Sequence, residues 1–148
     1  DDSEPLQRSI YEMLKKLGVA SVVVASTLKE GMQLMDYNFN KEQVSVKFDL
    51  VLMDINLPDG NGMEGCRFIT AHANSYNILV VVISGTSSLV TIHEAFKAGV
   101  SDYLIKPLAV DLLKVHLGMV LSLQSLNFMD NEVLFCSNSK NYIVLILS

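Results

Sequence analysis

The sequence predicts an α/β domain in which helices cover both faces of a five-stranded parallel sheet. Residues 50–53 and 78–83 form continuous apolar runs, which indicate strands that are buried on both faces. Amphipathic helical patterns alternate with these runs through short connections. Because parallel crossovers are right-handed, this alternation predicts a doubly wound sheet.

Length and composition are typical of one domain. The chain has 148 residues, 50% of them apolar, which allows a sizeable core. Its net charge of −5 disfavours nucleic-acid binding, because a phosphate-binding groove needs clustered lysine and arginine side chains. Cys66 and Cys136 lack metal-ligand spacing, so we expect two thiols in a reducing compartment. We expect a cytoplasmic protein without membrane contact, since no run reaches membrane-spanning length and no signal peptide opens the sequence.

Caps, breakers and apolar periodicity predict the individual elements. Ser3 can cap the first helix, which ends at Gly18, and Thr27 with Glu30 can form a capping box for the second. The predicted order is a helix over 3–17, a strand at 22–24, a helix after 27, a loop over 38–47, a strand at 50–54, a helix over 63–73, a strand at 78–83, and then a helix over 88–98, a strand at 103–105 and a helix over 109–126.

Three predicted strands end on polar side chains, namely Asp54, Ser84 and Lys106. Because the carboxyl ends of parallel strands meet at one edge of a sheet, we expect these side chains on the same rim. Asp54 alone could equally be a turn-forming residue. A carboxylate, a hydroxyl and an ammonium group together favour an anion-handling site built around a nucleophile.

Other polar residues have simpler interpretations. His72, His93 and His116 have no partner at metal-ligand spacing, so we expect them on the surface or between helices. Asp59 is expected to form a turn, and Asp102 to mark the start of a strand.

The residues at these strand ends give the chain a clear resemblance to the response-regulator receiver domains of two-component phosphorelays. The resemblance extends from Asp1 to about residue 126, and the set of motifs is specific although each one alone is weak. It is carried by the acidic pair Asp1-Asp2, by Asp54 in the segment Leu-Met-Asp-Ile-Asn-Leu-Pro, by Ser84-Gly85 and by Lys106-Pro107.

This resemblance implies a magnesium-dependent phosphoacceptor site. Asp54 would accept a phosphoryl group from a phosphohistidine, while Lys106 and Ser84 would contact the phosphoryl oxygens. Asp54, Asp2, Asp1 through water, and the backbone carbonyl of Asn56 would bind Mg²⁺, which prefers hard oxygen ligands. The donor would be a histidine kinase or a histidine phosphotransfer protein.

The resemblance also implies a switch. Ser84 would move towards the phosphoryl group, and Tyr103 would change rotamer to fill the vacated space, although Tyr103 could equally be an ordinary edge aromatic residue. The readout surface would be the face around residues 88–106. The peptide bond before Pro107 would be cis.

The two ends of the sequence depart from the family pattern. Receivers begin with a hydrophobic strand before the acidic pair, whereas this sequence starts at Asp1-Asp2. Residues 142–147 have the composition and length of that strand, so we expect a circular permutation, with 1–126 running from the first helix to the last, 127–141 as a connection and 142–148 at the sheet centre. A domain swap, an exposed tail or an added edge strand are the alternatives.

Three functional classes remain open from the sequence. The first is an active phosphoacceptor, which would catalyse its own phosphorylation without being an enzyme in the ordinary sense. The second is a pseudo-receiver that acts only as a protein-interaction module. The third is another doubly wound protein, but a phosphatase of that kind would need a second acid where Asn56 stands, and acids at Asp1 and Asp2 would repel a flavin phosphate.

Overall fold

A computed structural model describes residues 3–19, 21–40, 48–76, 78–125 and 142–147. The helices are α1 (Ser3–Lys16), α2 (Leu28–Asn40), α3 (Gly62–Tyr76), α4 (Leu89–Lys97) and α5 (Val110–Ser125). The strands are β1 (Ser21–Ala25), β2 (Leu50–Asp54), β3 (Asn56–Leu57), β4 (Gly60–Asn61), β5 (Leu79–Ser84), β6 (Asp102–Ile105) and β7 (Tyr142–Ile146).

Five strands form one parallel sheet in the order β1-β7-β2-β5-β6. This confirms the predicted doubly wound sheet. The strand that comes last in the chain lies between β1 and β2, with Ile143 opposite both Val22 and Leu50. This confirms the prediction that residues 142–147 supply the central strand of the sheet.

The helices divide between the two faces of the sheet. Ile10 of α1 and Leu113 of α5 pack with the side chains on one face, whereas Met35 of α2, Cys66 of α3 and Ala95 of α4 pack on the other. Successive residues of β2 alternate between these two clusters, as the two-residue period of a strand requires. Burial on both faces explains why residues 50–53 form an uninterrupted apolar run.

The end of β7 lies beside the first turns of α1. The side-chain Nε2 of Gln7 donates a hydrogen bond of 2.8 Å to the backbone oxygen of Leu147, and the backbone nitrogen of Leu147 donates to Ala25. The central strand is thus fixed at its carboxyl end to both a neighbouring strand and a helix.

Some sequence predictions of the elements need correction. The predicted loop over 38–47 was wrong for its first residues, because α2 continues to Asn40, and residues 41–47 lie outside the described part of the chain. The hairpin of β3 and β4 was not predicted, since strands of two residues carry no periodicity. Among the described helices, none is both long enough and apolar enough to cross a membrane.

Candidate functional site

Asp54, Ser84 and Lys106 lie at one edge of the sheet. Asp54 is the last residue of β2 and pairs with Ile83, while Ser84 is the last residue of β5 and pairs with Ile105. Lys106 directly follows β6, and its backbone nitrogen donates a hydrogen bond of 2.8 Å to the oxygen of Ser84. The parallel register therefore brings these three strand ends together.

The Asp54 carboxylate is buried and paired with a lysine. The side chain of Asp54 is 1% exposed, and its Oδ2 lies 2.7 Å from Nζ of Lys106. Its Oδ1 accepts a hydrogen bond of 3.0 Å from the backbone nitrogen of Asn56. Within the described residues, Asp54 is the only charged side chain in the core, and a buried charge is tolerated only with partners of this kind.

Lys106 connects this buried carboxylate to solvent. Its side chain is 28% exposed, so the ammonium group stands at the rim with Asp54 behind it. The peptide bond between Lys106 and Pro107 is cis, as the resemblance implied. The arrangement places a cation where an anion approaching Asp54 would meet it.

Ser84 is fully buried, and its hydroxyl turns towards the loop that follows β5. The backbone nitrogen of Thr86 donates to Ser84 Oγ at 3.1 Å. Because Ser84 is the acceptor in this bond, its hydroxyl proton is not used there. Ser84 can therefore still donate to an oxyanion at the rim.

Tyr103 joins β6 to the same loop. Its hydroxyl donates a hydrogen bond of 3.0 Å to the backbone oxygen of Thr86, and its ring packs against the core on the side of α4. Thr86 thus contacts both predicted switch residues, Ser84 and Tyr103. Because both contacts use the backbone of Thr86, its side-chain type could not indicate this role.

A tight turn fixes the segment behind Asp54. The backbone nitrogen of Gly62 donates to the oxygen of Ile55 at 2.7 Å, and any Cβ at Gly62 would collide with the backbone oxygen of Asp54. Only glycine allows this close approach. Asn61 then caps α3 by accepting a hydrogen bond from the nitrogen of Met63.

The metal ligands implied by the resemblance fall partly outside the described residues. Asp1 and Asp2 are among those not described, whereas Asp54 and Asn56 lie together at the rim. In the described ranges, no group of three or more histidine, cysteine, aspartate or glutamate side chains could hold a metal ion. The oxygens that Asp54 and Asn56 offer are nevertheless the donor type that Mg²⁺ prefers, so this part of the site fits the ion.

Other candidate groups lie away from this rim. Burial raises the pKa of the Cys66 thiol to about 12, so this cysteine is protonated at neutral pH and is not a nucleophile. Nδ1 of His116 lies 2.8 Å from Oδ2 of Asp102, which gives this histidine a structural partner that its sequence spacing did not suggest. His93 is exposed, and Nδ1 of His72 contacts the oxygen of Phe68 one turn earlier on α3.

Comparison with known proteins agrees with this geometry. A family model described as the response regulator receiver domain matches residues 1–117. The chain belongs to the response regulator receiver family. It is 27% identical over 121 residues to the chemotaxis protein CheY1 of Helicobacter pylori, and the match covers 82% of this chain and 92% of that protein.

Solved structures match a similar share of the chain. A crystal structure of a two-component response regulator from Clostridium difficile superimposes with a TM-score of 0.68 at 25% identity, covering 86% of this chain and 93% of that one. The transcriptional regulatory protein LnrK of Bacillus subtilis is 30% identical, and the match covers 80% of this chain but only 52% of LnrK. Relatives of this receiver therefore include chemotaxis proteins of similar length and longer transcriptional regulators.

Membership of the family sets the general role of the chain. Receiver domains act in two-component signalling, interact with histidine kinases or phosphotransfer proteins and with effectors, and generally bind Mg²⁺ at the phosphorylation site. The family-model match ends at residue 117, before β7. The central strand of this sheet is thus contributed by a segment outside that match.

Proposed function

We propose that this chain is an active phosphoacceptor, in which Asp54 takes a phosphoryl group from the phosphohistidine of a histidine kinase or phosphotransfer protein. The observation that carries the proposal is the buried Asp54 carboxylate with the Lys106 ammonium group 2.7 Å away at the solvent edge. A cation at that place offsets the charge that an incoming phosphoryl group adds.

The chemistry is a simple transfer. A carboxylate oxygen of Asp54 forms a bond to phosphorus while the bond from phosphorus to the donor imidazole nitrogen breaks, and the imidazole keeps that electron pair. Lys106 exchanges part of its contact with Asp54 for the phosphoryl oxygens, and the Ser84 hydroxyl donates a hydrogen bond to one of them. Asp54, the Asn56 carbonyl, Asp2 and, through water, Asp1 would hold Mg²⁺, which would supply further charge neutralisation.

Phosphorylation is read out on one side of the molecule. If Ser84 turns towards the phosphoryl group, its hydroxyl no longer accepts the hydrogen bond from the nitrogen of Thr86. The loop at Thr86, which also accepts a hydrogen bond from the Tyr103 hydroxyl, then shifts. The helix that follows this loop is α4. Leu89 and Phe96 lie seven positions apart on α4, so they share one side of this helix, and both are exposed.

The surface expected to respond is apolar. We call it the α4–β6–α5 surface, and it consists of Leu89, Phe96, Ile105, Leu112, Val115 and Met119. Leu89 is 81% exposed and Phe96 is 48% exposed. A contiguous patch of exposed apolar residues is typical of a protein-binding surface, and we propose that these residues form such a patch and bind the effector.

We also propose that the strand order is a permuted receiver order, with residues 142–148 acting as the first strand, residues 127–141 as a connection and the whole chain as one domain. Residues 126–141 and 148 lie outside the described part of the chain. The support is the position of β7 between β1 and β2 and its bond through Leu147 to Gln7. Cys66 is a free buried thiol, which fits our proposal that the protein works in the reducing cytoplasm.

Intact-mass measurement after incubation with Mg²⁺ and acetyl phosphate tests the proposed function. We expect one phosphoryl adduct on the wild type and none on Asp54→Asn, because the amide cannot form an aspartyl phosphate. Asp111→Asn removes one exposed acid from the first turn of α5 and should still give the adduct. Absence of an adduct from folded wild-type protein would contradict the proposal and leave a protein-interaction module as its function.

A further inference from the structure

The turn between β3 and β4 is fixed to a distant helix by Asp59. Its Oδ1 accepts a hydrogen bond of 2.7 Å from the backbone nitrogen of Leu28, and its Oδ2 accepts one of 2.9 Å from Lys29. Leu28 and Lys29 open α2, so their amide groups have no partner within the helix. The Asp59 carboxylate supplies both missing acceptors from a segment 30 residues away in sequence.

The remaining contacts at the start of α2 do not depend on Asp59. Oγ1 of Thr27 accepts from the nitrogen of Glu30, and Oε2 of Glu30 accepts from the nitrogen of Ser26. The first of these contacts is the one that the predicted capping box requires, whereas Glu30 reaches the nitrogen of Ser26, one residue before the cap. Because α2 already has this local cap, the contact from Asp59 mainly determines where the turn lies.

The turn that Asp59 holds is the one that carries Asn56. Asn56 and Leu57 of β3 pair with Asn61 and Gly60 of β4, and Asp59 lies at the tip of this hairpin. The base of the hairpin is fixed by the close approach of Gly62 to the backbone oxygen of Asp54. With the base and the tip both held, the peptide group of Asn56 has little freedom to rotate.

We propose that Asp59 is a positioning residue for the metal site: by holding the hairpin tip on α2, it orients the Asn56 carbonyl towards a Mg²⁺ ion bound at Asp54. This inference rests on the proposed function. Groups that orient metal ligands commonly affect metal affinity about tenfold, even though they do not touch the ion.

The carboxylate suits this role better than an amide. Two adjacent amide groups need two acceptor oxygens, and an asparagine side chain offers only one. The bonds from Lys29 and Leu28 lower the pKa of Asp59, so the group is ionised at neutral pH and also interacts favourably with the positive end of the α2 dipole. Asp59→Asn should therefore keep one contact, and Asp59→Ala none.

The effect of the Asp59 contacts on Mg²⁺ binding must be reciprocal. If Asp59 favours the hairpin arrangement that binds Mg²⁺, then Mg²⁺ must favour the arrangement in which Asp59 bonds Leu28 and Lys29. Adding Mg²⁺ to the wild type should therefore slow hydrogen exchange at these two amide groups. The same addition should have no such effect in Asp59→Ala.

The test combines Mg²⁺ titration by calorimetry with amide exchange at Leu28 and Lys29. We expect the Kd for Mg²⁺ to rise about tenfold in Asp59→Ala and less in Asp59→Asn, with the phosphorylation rate returning to the wild-type value at saturating Mg²⁺. Asp111→Asn, which removes an acid from another first helical turn, should leave the Kd unchanged.

The outcomes separate this inference from the function on which it rests. If the wild type binds Mg²⁺ and folded Asp59→Ala binds it equally well, the positioning role is wrong while the proposed function stands. If the folded wild type does not bind Mg²⁺, the proposed function fails and the positioning role fails with it.

Discussion

Strand β2, which carries Asp54, and helix α4, which follows the loop after Ser84, differ in how firmly the fold holds them. All five residues of β2 are buried, and the strand is paired with β7 on one side and β5 on the other. In the nine-residue helix α4, by contrast, only Ala95 is buried, and the N-cap Ser88 makes no side-chain capping bond. The acid that would react lies in the most constrained element, and the helix that would respond is one of the least constrained elements.

This difference suggests how a small chemical change could have an effect at a distance. Segments with few buried contacts open at low free-energy cost, whereas central strands open only when the whole domain unfolds. A phosphoryl group at Asp54 can therefore alter the loop at Thr86 and the position of α4 while leaving β2 and β7 in place.

The largest effect is expected from Leu145→Asp in β7. Leu145 is fully buried at the centre of the sheet, so a carboxylate there should reduce the free energy of unfolding by more than about 4 kcal/mol. Leu112→Asp makes the same change on the α4–β6–α5 surface, where Leu112 is 51% exposed, and should change the free energy of unfolding by no more than about 0.5 kcal/mol. Urea unfolding measures both. Equal, small effects would show that β7 is not a central strand in solution.

A smaller effect, on rate rather than folding, is expected from Lys106→Met. Removing the ammonium group beside Asp54 should slow phosphorylation by acetyl phosphate roughly 100-fold, because nothing replaces its charge at the phosphoryl oxygens. Lys114→Met removes an exposed lysine from α5 and serves as the control. The assignment of Lys106 would be wrong if both variants reacted at the wild-type rate.

The sequence predicted the rim better than the contacts around it. Apolar runs that end on Asp54 and Ser84 locate the strand ends, because burial on both faces leaves a pattern in neighbouring residues. The hydrogen bonds that Asp59 accepts from α2 and the contact between Asp102 and His116 join residues far apart in sequence, so no local pattern could indicate them. Asp59 was predicted only to form a turn, which it does, but its main contacts are on another element.

The central position of β7 was predictable for a different reason. The receiver pattern places a strand between β1 and β2, and residues 142–147 have the composition and length of that strand. The backbone role of Thr86 was not predictable, because a carbonyl that accepts from Tyr103 is chemically the same at any residue.

Hydrogen exchange with and without acetyl phosphate and Mg²⁺ tests the central claim most directly, namely that the acid is held rigidly while the neighbouring loop and helix respond. We predict that phosphorylation changes amide exchange in residues 85–105 by about fivefold or more, and leaves β2 and β7 unchanged. Asp54→Asn, treated in the same way, should show no change in residues 85–105. An equal change in all segments, or no change at α4 in fully phosphorylated protein, would contradict the account.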